Sequence, residues 1–147
     1  MENNYIHRLT ELLGSHYTVM TYTWGCHWNV TGLGFKAAHD FLKELYEAEQ
    51  DRIDSTAERI RALGSVCPAT MLQMEQVTLI GDAPDNSEFA MEHVWSELSI
   101  LWARLISIAC SVHVVVPESD IATKSFLENM VESMQKELWM IDANMAK

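Results

Sequence analysis

The three prolines of this 147-residue chain stand at 68, 84 and 117, which leaves long stretches on either side free of them. Proline inside a helix removes a backbone donor and clashes with the preceding turn, so its placement decides where long helices are permitted. Within 5–30, Ile6, Leu9, Leu13, Tyr17, Met20, Trp24 and His27 recur at steps of three or four, the spacing of one helix face. Thr31-Gly32-Leu33-Gly34 interrupts that pattern and reads as the turn of a helical hairpin. A second helix is predicted from Phe35 to Leu63, rich in strong helix formers and stopped by Gly64. Pro68 and Pro84 bracket a loop over 65–86, in which residues 71–75 form a short helix. Ser87, followed by Glu88, Glu92 and Glu97, opens a third long helix running to Val114. Asp120 caps a fourth, over 121–145. There is no internal repeat and no stretch of strand period, so residues 1–147 read as a single all-α domain, a four-helix bundle with a short helix between its second and third long helices.

Such a bundle needs apolar residues to bury, and they make up 48% of the chain. Gly and Pro are too few for a disordered or collagen-like chain. No uninterrupted apolar run approaches the ~20 residues of a membrane span, and the polar start Met1-Glu2-Asn3-Asn4 carries no signal-peptide pattern. Cys26, Cys67 and Cys110 are scattered, as free thiols of a reducing compartment are, so a cytoplasmic location is expected. The net charge is −11, and Lys and Arg cluster nowhere. Phosphate contacts dominate nucleic-acid affinity, so direct DNA binding is not expected of this surface, whereas cations are attracted to it.

The histidines and carboxylates of the first two helices supply the chemistry. His27 precedes Leu33 by six residues and His39 follows it by six, so an antiparallel hairpin sets the two level with each other. Asp54 and Glu58, four apart, share one face of the second helix. Asp54 lies 15 residues beyond His39. At ~100° per residue it returns to within ~60° of the same face, but ~22 Å further along the axis. One metal cluster spans only a few ångströms, so a straight helix cannot bring all four ligands of one chain together. A second chain packed antiparallel across a two-fold axis would place His27 and His39 of one subunit against Asp54 and Glu58 of the other, twice over. Mixed imidazole and carboxylate ligation suits iron, manganese or zinc rather than calcium or magnesium. The bundle-core di-iron arrangement needs Glu-x-x-His on two helices. None of the six histidines has a Glu three residues before it.

These residues resemble a known family. His27-Trp28-Asn29-Val30-Thr31-Gly32, Phe35-x-x-x-His39, Asp54-x-x-x-Glu58-Arg59 and Leu63-Gly64 are similar to the ferroxidase signature of Dps proteins, the ferritin-like mini-ferritins named as DNA-binding proteins from starved cells. The spacings between the four ligands agree, and Lys136-x-Leu138-Trp139-Met140-Ile141 resembles the family's last helix. The resemblance implies a ferritin-like bundle that assembles as a hollow dodecamer of two-fold dimers. It implies binding of two irons at each inter-subunit site, oxidation of Fe(II), usually by hydrogen peroxide, and storage of the ferric product inside. Trp28, beside the site, reads either as a packing residue or, as the resemblance suggests, as one that donates an electron or traps a radical.

The chain departs from the family pattern in three places. Many members carry an acidic residue four positions after the second histidine; here Lys43 stands there, with Glu44 beside it. The acidic pore pattern Asp-x-x-Thr-x-Asp reads Asp120-Ile121-Ala122-Thr123-Lys124-Ser125, which keeps only its first Asp. The Lys-rich tail used by some members for DNA is missing. Asp120 is thus a candidate pore residue, and Glu47 and Asp51, on the acidic stripe of the second helix, are candidates for lining a cavity. Trp95, Trp102, Trp139, Met130 and Met134 read as core, Cys26 as a buried inert thiol, and His7, His16, His93 and His113 as structural. Two other functions compete with ferroxidase storage: a DNA-compacting protein with secondary ferroxidase activity, which the charge opposes, and a non-enzymatic helical oligomer with a degenerate metal site.

Overall fold

The computed structural model describes residues 4–81 and 88–145, and contains five helices: α1 (Asn4–Asn29), α2 (Phe35–Ala62), α3 (Met71–Val77), α4 (Met91–Val115) and α5 (Ile121–Ala143). Two antiparallel hairpins, α1–α2 and α4–α5, pack into a four-helix bundle, with α1 touching α2, α4 and the short α3. That central place explains why α1 buries more than a single stripe. Leu12, Val19 and Cys26 are as buried as Leu9 and Leu13. Trp95 and Trp102 of α4 and Met130 and Met134 of α5 are buried in the core as expected.

The turn between α1 and α2 turns on Gly34, whose φ of 82° lies in the left-handed region. The first intrahelical bond of α2 starts there, Ala38 N–H donating to Gly34 O at 3.1 Å. At the far end of α2, Gly64 N–H donates to Arg61 O and Ser65 N–H to Ile60 O, the paired bonds that close a helix C-terminus. Thr70 and Gln73 cap α3 reciprocally, side chain to backbone in both directions. Asp120 caps α5 by accepting from Thr123 N–H at 3.0 Å.

Two sequence readings need correction. The third long helix begins at Met91, not near residue 87. Residues 88–90 are not helical, because Thr31 N–H donates to Phe89 O and Met91 N–H to Thr31 O, a short parallel bridge that ties the α1–α2 turn to the entry of α4. Ser87 and Pro84 themselves, like Met1–Asn3, lie outside the described residues. Trp139 is 67% exposed rather than core, since it stands on the side of α5 away from the bundle. In addition, α4 has the length and mean hydropathy of a membrane span. No uninterrupted apolar run signals this, because Glu97 and Arg104 break the stretch. Val94, Trp95, Leu98, Leu101, Trp102 and Leu105 of that helix are buried against the other helices, so its apolarity serves the core.

Gly14 sets how closely α3 approaches α1. A Cβ there would lie 2.7 Å from Val77 Cγ2 and 2.8 Å from Met74 O. The approach is used: Leu79 N–H donates to Ser15 Oγ at 3.0 Å and Thr18 Oγ1 to Thr78 Oγ1 at 2.8 Å. Alanine would normally favour a helix interior over glycine by ~1 kcal/mol. Here the clash is with backbone, so Gly14→Ala is expected to destabilise, by ~1–3 kcal/mol for overpacking. Denaturant titration at matched subunit concentration measures it, and a gain in stability would contradict the close packing.

Candidate metal centre

His27 lies in the last turn of α1 and His39 in the second turn of α2, and the hairpin stacks their rings with centroids 3.7 Å apart. His27 Nδ1 lies 2.7 Å from His39 O, and His39 Nδ1 lies 2.7 Å from His27 O. A carbonyl oxygen only accepts, so each Nδ1 must carry the proton and donate. The bond from His39 is available because His27 O sits where helix α1 ends. Its would-be partner, Thr31 N–H, is turned to Phe89 instead. Each neutral ring is thereby held as the Nδ1–H tautomer, with its lone pair on Nε2. Metal-binding imidazoles are oriented in this way, by a bond from the other ring nitrogen to a carbonyl or carboxylate. His27 is buried, and His39 is half-buried.

Aromatic rings wall this pair. Phe35 stacks on His39 with centroids 5.2 Å apart, and Tyr46 meets His27 edge-on at 5.3 Å. Trp24 packs between Tyr46, at 5.7 Å, and Trp28, at 5.1 Å. Trp28 is 61% exposed, so this chain of rings runs from the imidazoles to the subunit surface. Sequence reasoning overlooked Tyr46, although it follows His39 by seven residues, two turns along the same face.

The carboxylates stand apart from the imidazoles. Asp54 and Glu58 are exposed on α2, one turn from each other. Among the described residues no three His, Cys, Asp or Glu side chains converge as a metal-binding group. Glu47 and Asp51 are exposed, and Glu47 lies 3.8 Å from Lys43 in a surface pair. Asp120 is committed locally. Besides capping α5 it accepts from Tyr5 Oη at 3.3 Å and lies 3.9 Å from Arg59. Its partial burial would raise its pKa, but the bonds from Thr123 and Tyr5 and the Arg59 charge outweigh that and hold it below the usual carboxylate value. Lys124 turns toward α4, donating to His113 O at 3.2 Å and pairing with Glu118 at 3.0 Å.

Cys26, beside His27 in sequence, is fully buried, and burial pushes its thiol up to about 12, so it stays a protonated, unreactive thiol at neutral pH. His16 has more than a packing role. It is wholly buried, with Nδ1 2.6 Å from Glu49 Oε2, and Glu49 is buried too. Arg52 bridges Glu49, at 2.7 Å, and Glu137, at 2.8 Å. The signal for this cluster lies in the core stripe of α2. Glu49 and Arg52 interrupt the run Ala38, Leu42, Leu45 … Thr56, Ile60 at inward positions.

The comparisons with known proteins bear on this arrangement. A model of the ferritin-like domain matches residues 6–147. The DNA protection during starvation protein of Helicobacter pylori is 27% identical over 121 residues, covering 82% of this chain and 83% of that protein. The structure of Dps from Staphylococcus aureus superposes with a TM-score of 0.91 at 20% identity, covering 99% of this chain and 97% of the other. The chain belongs to the Dps branch of the ferritin-like family. The Dps protein from Vibrio cholerae, described as a member of a broad superfamily of ferritin-like diiron-carboxylate proteins, superposes at 0.91 with 22% identity, over 98% of this chain and 90% of that one. This Dps chain thus shares the fold along nearly its whole length. Its paired imidazoles stand at the first hairpin, outside the bundle core.

Proposed function

We propose that this chain is an iron-oxidising, iron-storing mini-ferritin. It binds two Fe(II) at each site between two-fold-related subunits, with His27 and His39 from one and Asp54 and Glu58 from the other. The observation that carries the reading is the reciprocal pair of Nδ1–H bonds, which commits two adjacent Nε2 lone pairs to a ligand before any metal arrives. The ~22 Å of helix between His39 and Asp54 is the reason a partner must supply the carboxylates. Exposed apolar side chains such as Leu33, Met71, Leu72, Ile121 and Trp139 suit burial between copies, in a hollow dodecamer. Asp120, Glu47 and Asp51 would serve iron entry or the cavity wall, Asp120 the least freely because its carboxylate is already engaged.

Two Fe(II) ions with one hydrogen peroxide and two protons give two Fe(III) and two waters, so no single-electron step leaves hydroxyl radical behind. The protein's part is to hold both ions with open positions for the oxidant. Trp28 would supply or absorb an electron when only one Fe(II) is bound. Free thiols at Cys26, Cys67 and Cys110 suit a reducing compartment such as the cytoplasm. Stopped-flow absorbance at matched oxidant concentrations tests the chemistry: ferric product should form faster with peroxide than with oxygen. Equal or faster oxidation by oxygen would remove the peroxide assignment.

Every copy of the chain adds a formal charge of −11 to the assembly, so phosphate is repelled rather than gripped. No mobility shift of duplex DNA is expected at physiological salt with chelator present. A clear shift there would favour the DNA-compacting role instead.

A further inference from the structure

We propose that Arg52 occupies the cation position of a carboxylate–imidazole metal site in the bundle core, and that this guanidinium keeps divalent transition metals out of the subunit interior. The inference concerns a different place from the inter-subunit site and does not depend on it. All four long helices contribute. His16 comes from α1, Glu49 and Arg52 from α2, Trp102 from α4 and Glu137 from α5. His16, Glu49 and Trp102 are completely buried, and the side chains of Arg52 and Glu137 nearly so.

The guanidinium sits where a cation between two carboxylates would sit. Arg52 Nη1 donates to Glu49 Oε1 at 2.7 Å and lies 2.8 Å from Glu137 Oε2. Arg52 Nη2 donates to Ser133 Oγ at 2.7 Å and to Glu137 Oε1 at 2.9 Å. The remaining acceptors are filled around it. Glu49 Oε2 takes His16 Nδ1 at 2.6 Å, and Glu137 Oε2 takes Trp102 Nε1 at 2.9 Å. His16 Nε2 faces Met130 Sδ at 3.3 Å. Two glutamates and an imidazole from three helices are the donor types of a divalent transition-metal site, but with the guanidinium in place they do not converge on one point. Ferritin-like carboxylate proteins build their bundle-core sites from inward glutamates and Glu-x-x-His. Here α2 reads Glu49-Gln50-Asp51-Arg52, with arginine three residues after the inward glutamate where that pattern has histidine. Histidine can lose a proton to admit a metal. Arginine cannot, so its charge is a permanent occupant. One turn beyond on the same helix, Thr56 Oγ1 is buried with no hydrogen-bond partner among the described residues, a further free oxygen donor in the interior.

Removing the guanidinium should therefore open the site. The test uses full-length protein carrying His27→Ala and His39→Ala, which lacks the inter-subunit imidazoles, with Arg52→Ala or Arg52→His added. Co(II) is the probe, read by its visible d–d absorption, by calorimetric titration and by the thermal midpoint. Each Arg52 variant should gain one Co(II) per subunit over the background protein, bound at least tenfold more tightly than any Co(II) the background takes up. Its thermal midpoint should rise with Co(II) while that of the background does not, and adding Glu49→Ala should abolish both effects. Folded Arg52 variants that take up no additional Co(II) would overturn the proposal. So would a gain that survives Glu49→Ala, or failure of both variants to fold even with Co(II) present.

Discussion

Glu49→Ala is expected to lower the stability of the subunit by ~3–5 kcal/mol, the cost of removing one partner from a buried charged pair. The side chain is wholly buried, and both its oxygens are engaged, one by His16 and one by Arg52. Alanine would leave two buried nitrogen donors short of an acceptor and open a void in the core. Arg52 keeps Glu137 as an ion-pair partner, so the lower end of that range is expected. By contrast, Glu47→Ala on the exposed face should change stability by less than ~0.5 kcal/mol. Thermal unfolding followed by circular dichroism, at one subunit concentration for all variants, compares them; equal midpoints for Glu49→Ala and the native chain would contradict the role given to the cluster.

The same carboxylate fixes a pH dependence. Burial alone would raise the Glu49 pKa, but the His16 and Arg52 charges and hydrogen bonds overcome that and hold it below its ordinary value of 4.5. A carboxyl lowered by folding contributes its full stability above the unfolded value and loses it as pH falls through the folded one. Acid unfolding of the native chain should therefore have a component below about pH 4.5 that Glu49→Ala lacks.

Much of this molecule was legible in its sequence because helices announce themselves by period. The α1–α2 turn followed from Gly32 and Gly34, and with it the level placement of His27 and His39, which the structure stacks ring on ring. What was lost depended on tertiary contact. The start of α4 moved to Met91 because backbone bonds to Thr31 hold residues 89–91 in an extended bridge, and nothing local encodes a partner 60 residues away. Trp139 reads as core by residue type, although the face of α5 that packs inward is set by Leu127, Met130, Met134 and Ile141. The buried cluster was visible in principle. Glu49 and Arg52 fall on the inward register of α2 and His16 on that of α1, whereas Glu47 and Asp51 form the exposed acidic stripe of α2. The imidazole tautomers were beyond sequence, since they depend on bonds that cross the hairpin to the carbonyls of His27 and His39.

The central claim is that each oxidation site is shared between two subunits, and subunit mixing tests it directly. A variant with His27→Ala and His39→Ala lacks imidazoles at every site, and one with Asp54→Ala and Glu58→Ala lacks carboxylates at every site. Each alone should lose peroxide-dependent Fe(II) oxidation by more than ~100-fold, since even the groups that merely orient metal ligands are worth 10–100-fold. When the two are dissociated and reassembled together, a mixed dimer has one interface with all four ligands and one with none. Random pairing makes about half the dimers mixed, with one intact site in two, so activity should return to about a quarter of native. A site confined to one subunit could not be rescued in this way. Recovery near a quarter is the result predicted here; no recovery, with mixed dimers confirmed by mass spectrometry, would contradict the shared site.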